Sequence, residues 1–206
     1  MEFTLMYEGK LPSGDKANRD DKHRIRLAFH SQLKTLWTLP PLSYCSSYKE
    51  EEVAGIEERY QDEPDPGTFD FGSLPYVVTD TNGFKFVSLV HKSLAIVAEL
   101  DVRFLFPSPE IISPVSMVTR DVDNKLKTLF DGLRIPQQRQ EIPEKWMPDA
   151  GQNPLFCLLE DDGLIAKVSV SSGYSLRPLA PEEVFVILNV KVKGKMGTLH
   201  NFPLIG

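Results

Sequence analysis

Apolar and polar residues alternate most regularly between Ala95 and Phe106. Ile96, Ala98, Leu100, Val102, Phe104 and Phe106 fall on one side, and Glu99, Asp101 and Arg103 on the other. That period of two predicts a half-buried strand. Residues 183–193 repeat it, with Val184, Val186, Leu188, Val190 and Val192 on one face. Shorter strands are predicted at 2–7, at 84–90 after the Thr81-Asn82-Gly83 turn, and at 164–170. Two stretches change period. Leu126, Leu129, Phe130 and Leu133 recur at i, i+3, i+4 and i+7, which predicts a helix over about 123–134 with one buried stripe. A second helix is expected over 20–37, capped by Asp20 or Asp21, with Ile25, Leu27, Phe29, Leu33 and Leu36 as an imperfect apolar side.

Strands outnumber helices, and both helices can cover one sheet. The expected fold is α+β: a small mixed β-sheet with helices packed mainly on one face. A chain of 206 residues fits a single domain spanning 1–206. Two segments interrupt the pattern, an acidic surface insertion at about 42–75 and a long loop, punctuated by proline, at about 135–157.

Composition adds limits. The apolar fraction of 41% suffices for a core. The two cysteines, Cys45 and Cys157, have no metal or redox spacing and read as reduced thiols. The chain start lacks the pattern of a signal peptide, and no run of 18 apolar residues suggests a membrane span, so a cytoplasmic protein with no membrane partner is expected.

The formal net charge of −6 argues against a nucleic-acid partner. Its distribution changes that. Residues 49–70 hold nine acids against Lys49 and Arg59, and subtracting that segment's −7 leaves +1 for the remainder. Residues 10–34 carry seven Lys/Arg against three Asp, together with His23 and His30. Lys10, Lys16, Arg19 and Arg24 in that segment, and Arg120 further on, are candidate phosphate contacts.

The chemistry concentrates between Thr119 and Leu133. Asp121 and Asp123 stand two apart where the second helix begins, and Lys127 and Asp131 follow at four-residue steps on a face other than the apolar one. Carboxylates crowded in this way are costly unless a cation lies among them, and hard cations such as Mg2+ prefer such oxygen ligands. A third acid must come from elsewhere, and Glu160-Asp161-Asp162, just before another strand, offers one. Plainer readings exist for each part. Asp-x-Asp serves as a helix cap, Lys127 as a surface ion pair, and Asp161-Asp162-Gly163 as a turn.

Arg120-Asp121-Val122-Asp123-Asn124, then Lys127, then Asp131-Gly132-Leu133, and Asp161-Asp162 before an apolar strand, resemble the RusA family of Holliday-junction resolvases. The resemblance covers about half of the chain, including the first strand and its proline-containing loop. It implies that Asp121, Asp123 and Asp162 ligate Mg2+, with Mn2+ as a substitute, and that Lys127 is the catalytic or phosphate-contacting lysine. Asp131 would support the site, with Asn124 and Asp161 as supporting or alternative residues. It further implies a homodimer that cleaves branched DNA in recombination and repair. A non-catalytic nucleic-acid-binding or assembly protein of the same fold is the alternative. A metal-dependent phosphotransferase or glycosyl transferase is weaker still.

Overall fold

The computed structural model describes residues 1–14, 16–48, 69–70, 77–108, 122–198, 201 and 204. Among the described residues, nine strands and two α-helices follow one another: β1 (Glu2–Lys10), α1 (Arg19–Trp37), β2 (Ser47–Tyr48), β3 (Phe69–Asp70), β4 (Val78–Thr81), β5 (Phe84–Val90), β6 (Ile96–Pro107), α2 (Val122–Leu133), β7 (Leu155–Leu159), β8 (Ile165–Ser175) and β9 (Glu183–Gly194).

The fold is mixed α+β, but its strands do not form the one sheet expected. A four-stranded sheet has the order β1-β9-β6-β8, a three-stranded sheet the order β4-β5-β7, and β2 pairs with β3 alone. In the larger sheet β9 runs antiparallel to both neighbours while β6 and β8 are parallel. In the smaller one β5 and β7 are parallel. The parallel pair β5/β7 thus leads into the parallel pair β6/β8 through two short 3-10 turns, Lys92–Leu94 and Asp162–Leu164. Glu160 and Asp162 lie at this junction between the sheets.

Alternation produces the core directly. Leu5 and Tyr7 of β1, Leu100, Val102 and Phe104 of β6, and Val184, Val186 and Leu188 of β9 are buried and join Ile25, Phe29, Leu33, Leu129 and Leu133 of the helices in one cluster. The opposite face is polar, with Lys193 paired to Glu99 at 3.1 Å and Lys191 to Glu2. These two lysines therefore have carboxylate partners across the strands. β7 lies within the end of the expected loop. Its five residues are all buried, so no alternation marks it in the sequence.

Helix α1 is capped by Asn18 rather than by Asp20 or Asp21. The Asn18 side chain accepts the Asp21 N–H at 2.9 Å, and the Asp21 carboxylate accepts the Asn18 N–H at 3.2 Å. This capping box leaves both aspartates in the first turn, where the helix dipole favours them. Both cysteines are free and buried. Of the acidic surface insertion expected at about 42–75, residues 42–48 and 69–70 are described, with Leu42, Cys45 and Ser46 buried, and the acids of 49–68 lie outside the described residues. No described helix is long and apolar enough to cross a membrane.

The two helices meet at Gly132. A Cβ there would stand 2.5 Å from Ile25 Cγ2 and 2.8 Å from Ile25 Cβ, a stiff branched side chain in the core. In Gly132→Ala the better helix propensity gives back about 1 kcal/mol, whereas overpacking costs about 1–3 kcal/mol. The expected net result is a loss of about 1 kcal/mol in urea unfolding, and an unchanged or raised midpoint would show that the contact yields freely.

Candidate functional site

Helix α2 buries Thr128, Leu129, Gly132 and Leu133 and so turns Asp123 and Lys127 outward, both exposed and one helical turn apart. Its first turn is pinned by the loop that follows β1. Gly14 N–H donates to the Asn124 carbonyl at 3.2 Å, and Lys125 Nζ donates to the Leu11 carbonyl. The Lys127 stem lies along Gly14, where a Cβ would be 3.4 Å from its Cδ. Asp121 and Arg120 lie outside the described residues.

Asp131 stands elsewhere in the network. Its carboxylate pairs with Lys22 at 2.7 Å and with Arg134 at 3.2 Å, and Arg134 also pairs with Glu141 at 2.9 Å. It joins α1 to the end of α2.

The acidic trio divides by what each carboxylate already holds. Glu160 accepts the Lys92 backbone N–H at 2.8 Å and faces His91 Nε2 at 3.7 Å, while its carbonyl accepts from the Gln137 amide at 2.9 Å. Asp161 accepts the Gly163 N–H at 2.8 Å and so caps the turn into β8. Asp162 is exposed, and among the described residues its carboxylate meets no donor. The same holds for Asp123, and Lys127 likewise enters no ion pair among the described residues.

Among the described residues, no group of three or more His, Cys, Asp or Glu side chains could hold a metal ion. With Asp121 outside them, the expected trio of Asp121, Asp123 and Asp162 is not complete in the described part of the chain. The donors that are present are carboxylate oxygens, the chemistry a hard cation takes.

The cations expected to meet phosphate are mostly engaged within the chain. Lys10 pairs with Glu182 at 2.5 Å, Arg19 with Glu144 at 2.9 Å, and Arg24 with Asp21 at 2.9 Å. Lys16 is exposed. The exposed pairs are weak, and a phosphate can replace the carboxylate.

Three residues of the basic helix face inward instead of toward a ligand. Arg26 is fully buried and donates to the Arg134 carbonyl at 3.1 Å, the Asp131 carbonyl at 3.0 Å and His23 Nδ1 at 3.3 Å. His30 donates from Nε2 to the Gly151 carbonyl at 2.9 Å and accepts the Phe156 N–H on Nδ1 at 2.9 Å. Sequence reading missed this polar stripe. Arg26, His30, Leu33 and Trp37 recur at helical spacing and fill the gaps in the apolar side, a signal present in the sequence.

No protein-family model, no curated protein and no solved structure matches the chain.

The buried histidines set a pH dependence. Burial first, then the nearby Arg26 guanidinium, lowers the His23 pKa from 6.5 to about 3. Burial also lowers His30, against the opposing pull of its bond to Gly151. Both are neutral in the folded chain at neutral pH but take up a proton more readily when unfolded. The His23 contribution to stability is therefore complete above about 6.5 and is lost as the pH falls from 6.5 toward 3, and that of His30 is lost in the same direction. The expected outcome is a lower denaturant midpoint at pH 5 than at pH 7.5. In histidine NMR spectra the His23 ring should stay neutral down to about pH 4, and titration near 6.5 would refute its burial.

Proposed function

We propose that the chain is a Mg2+-dependent endonuclease of the RusA type that nicks Holliday junctions or other branched DNA as a cytoplasmic homodimer. The observation that carries the reading is the division of labour among the acids. Asp131, Glu160 and Asp161 are held by structural partners, whereas Asp123 and Asp162 keep free carboxylates at the surface. These are the two described positions that the sequence pattern assigns to metal ligation. Lys127 stands one turn from Asp123 with its ammonium exposed.

Asp123 and Asp162, with Asp121, would hold the ion. When bound, Mg2+ supplies charge neutralisation at the phosphodiester and a more acidic water. The chain's own residues do the rest. Lys127 places a positive charge where a leaving oxyanion develops, and Asp161 keeps the turn that presents Asp162. Lys10, Lys16, Arg19, Arg24 and Arg120 track the phosphates, giving binding that weakens with salt.

Incubation with a labelled four-way junction and Mg2+ or Mn2+ tests the reading. Wild-type protein should nick, and Asp123→Asn or Asp162→Asn should lower the rate at least about 100-fold, a rise of about 2.7 kcal/mol in the barrier. Mn2+ binding followed by water relaxation should weaken in the same variants. Asp161→Asn should retain most activity. Cleavage that survives Asp123→Asn sinks the proposal. A salt-sensitive gel shift without nicking favours a non-catalytic nucleic-acid-binding or assembly protein.

A further inference from the structure

The two edges of the four-stranded sheet are treated differently. At β1 the Gln32 side chain from α1 closes the outer edge: it donates to the Met6 carbonyl at 2.7 Å and accepts the Met6 N–H at 2.9 Å. At β8, among the described residues, nothing plays that part between Ala166 and Gly173. The strand is eleven residues long, contains no proline, and carries one charge, Lys167. Natural sheets protect long edges with prolines, charges, bulges or covering elements, because an unpaired row of N–H and C=O groups invites another strand.

The face of β8 is as exposed as its edge. Val168 pairs with Leu100 and Val170 with Val102, so all four side chains point to the same side of the sheet. Leu100 and Val102 are at most 2% exposed, yet Val168 and Val170 are 38% and 41% exposed. Leu176, just past the strand, is 98% exposed. The helix layer that buries the inner faces of β1, β9 and β6 stops short of β8.

We propose that β8 is a self-association surface, where two copies of this chain pair antiparallel about a two-fold axis at Val170. The strand's own sequence suits a second copy. Val170 is the midpoint of Ile165–Ser175, so this register pairs the whole strand with its copy, over about 35 Å. Residues of equal parity meet, which places Val168 and Val170 of both copies on one face. Lys167, the single charge, falls opposite Gly173 of the second copy. It avoids the other Lys167 and finds room where no Cβ stands. The product is a continuous eight-stranded sheet, with the valines of the two copies covering one another across the seam. An isologous contact of this kind closes at two copies and leaves no edge at β8. That the chain dimerises belongs to the function proposed above; the place and register of the seam rest on the strand and its surroundings and not on nuclease activity.

Sedimentation equilibrium of the full chain tests it. The wild type should form a dimer at micromolar concentration. Val170→Lys, which sets two like charges together at the axis, should raise the dimer dissociation constant at least tenfold while circular dichroism and the thermal midpoint stay near wild type. The register has its own readout. In Val170→Cys the two Cα atoms would lie about 4.5–5.5 Å apart, within disulfide range. Mild oxidation should give a covalent dimer, and Lys167→Cys should not. Cys45 and Cys157 are buried and do not compete. A monomer at about 100 μM, a dimer indifferent to Val170→Lys, or no cross-link from Val170→Cys in a dimeric sample each overturns the proposal.

Discussion

The burial of the Arg26 guanidinium constrains the rest of the structure. A charge taken wholly out of water is tolerated only where fixed dipoles replace its hydration. Here two of the dipoles are the carbonyls of Asp131 and Arg134, at and just beyond the open C-terminal end of α2. Helix ends leave four carbonyls without partners, and a cation placed there meets both the hydrogen-bonding need and the helix dipole. Arg26 thus serves as the C-terminal anchor of α2 while sitting on α1. His23 must remain neutral to accept from it, which follows from the low pKa of that ring. Cys157, buried beside the guanidinium, has its thiol pushed up to about 12 by burial, so it stays protonated and contributes no counter-charge.

With its far end fixed, α2 has little freedom. Lys22 and Arg134 hold Asp131, Gly132 admits Ile25 at close range, and the loop after β1 grips the first turn through Gly14 and Leu11. Anchors at both ends and in the middle decide which face points outward. Asp123 and Lys127 occupy that face because every other side of the helix is already engaged. A presented acid and base on a rigid element suit a site better than the same residues on a loop. The same logic applies at the junction of the sheets. Glu160 and Asp161 secure the turn, and Asp162 is what the turn presents.

The sequence carried much of this and concealed the rest for physical reasons. The alternation of β6 and β9 and the stripe of α2 were legible because each element has one wet and one dry face. β7 was not, because both of its faces are dry. The end of α1 was legible in outline, but its cap was not, since Asn18, Asp20 and Asp21 are all competent and only the backbone path selects Asn18. At the candidate site, the outward placement of Asp123 and Lys127 followed from helical spacing. Which of Glu160, Asp161 and Asp162 is already held depended on partners such as Lys92, far away in the chain, which no local pattern reveals.

The charge of the basic segment also changes meaning once its residues have places. Residues 10–34 count as +4, but Arg26 is buried and has no part in an external field beyond its distance-screened share. Lys10, Arg19 and Arg24 meet Glu182, Glu144 and Asp21, so near neutrality, and not a basic patch, faces the solvent there. Any polyanion that binds this surface must do so by exchange, displacing carboxylates that hold their partners only weakly. Such exchange is cheap in energy, but it releases fewer counterions than binding to bare cations. If the chain binds DNA as proposed, the salt dependence of that binding should therefore be shallower than the count of lysines and arginines implies.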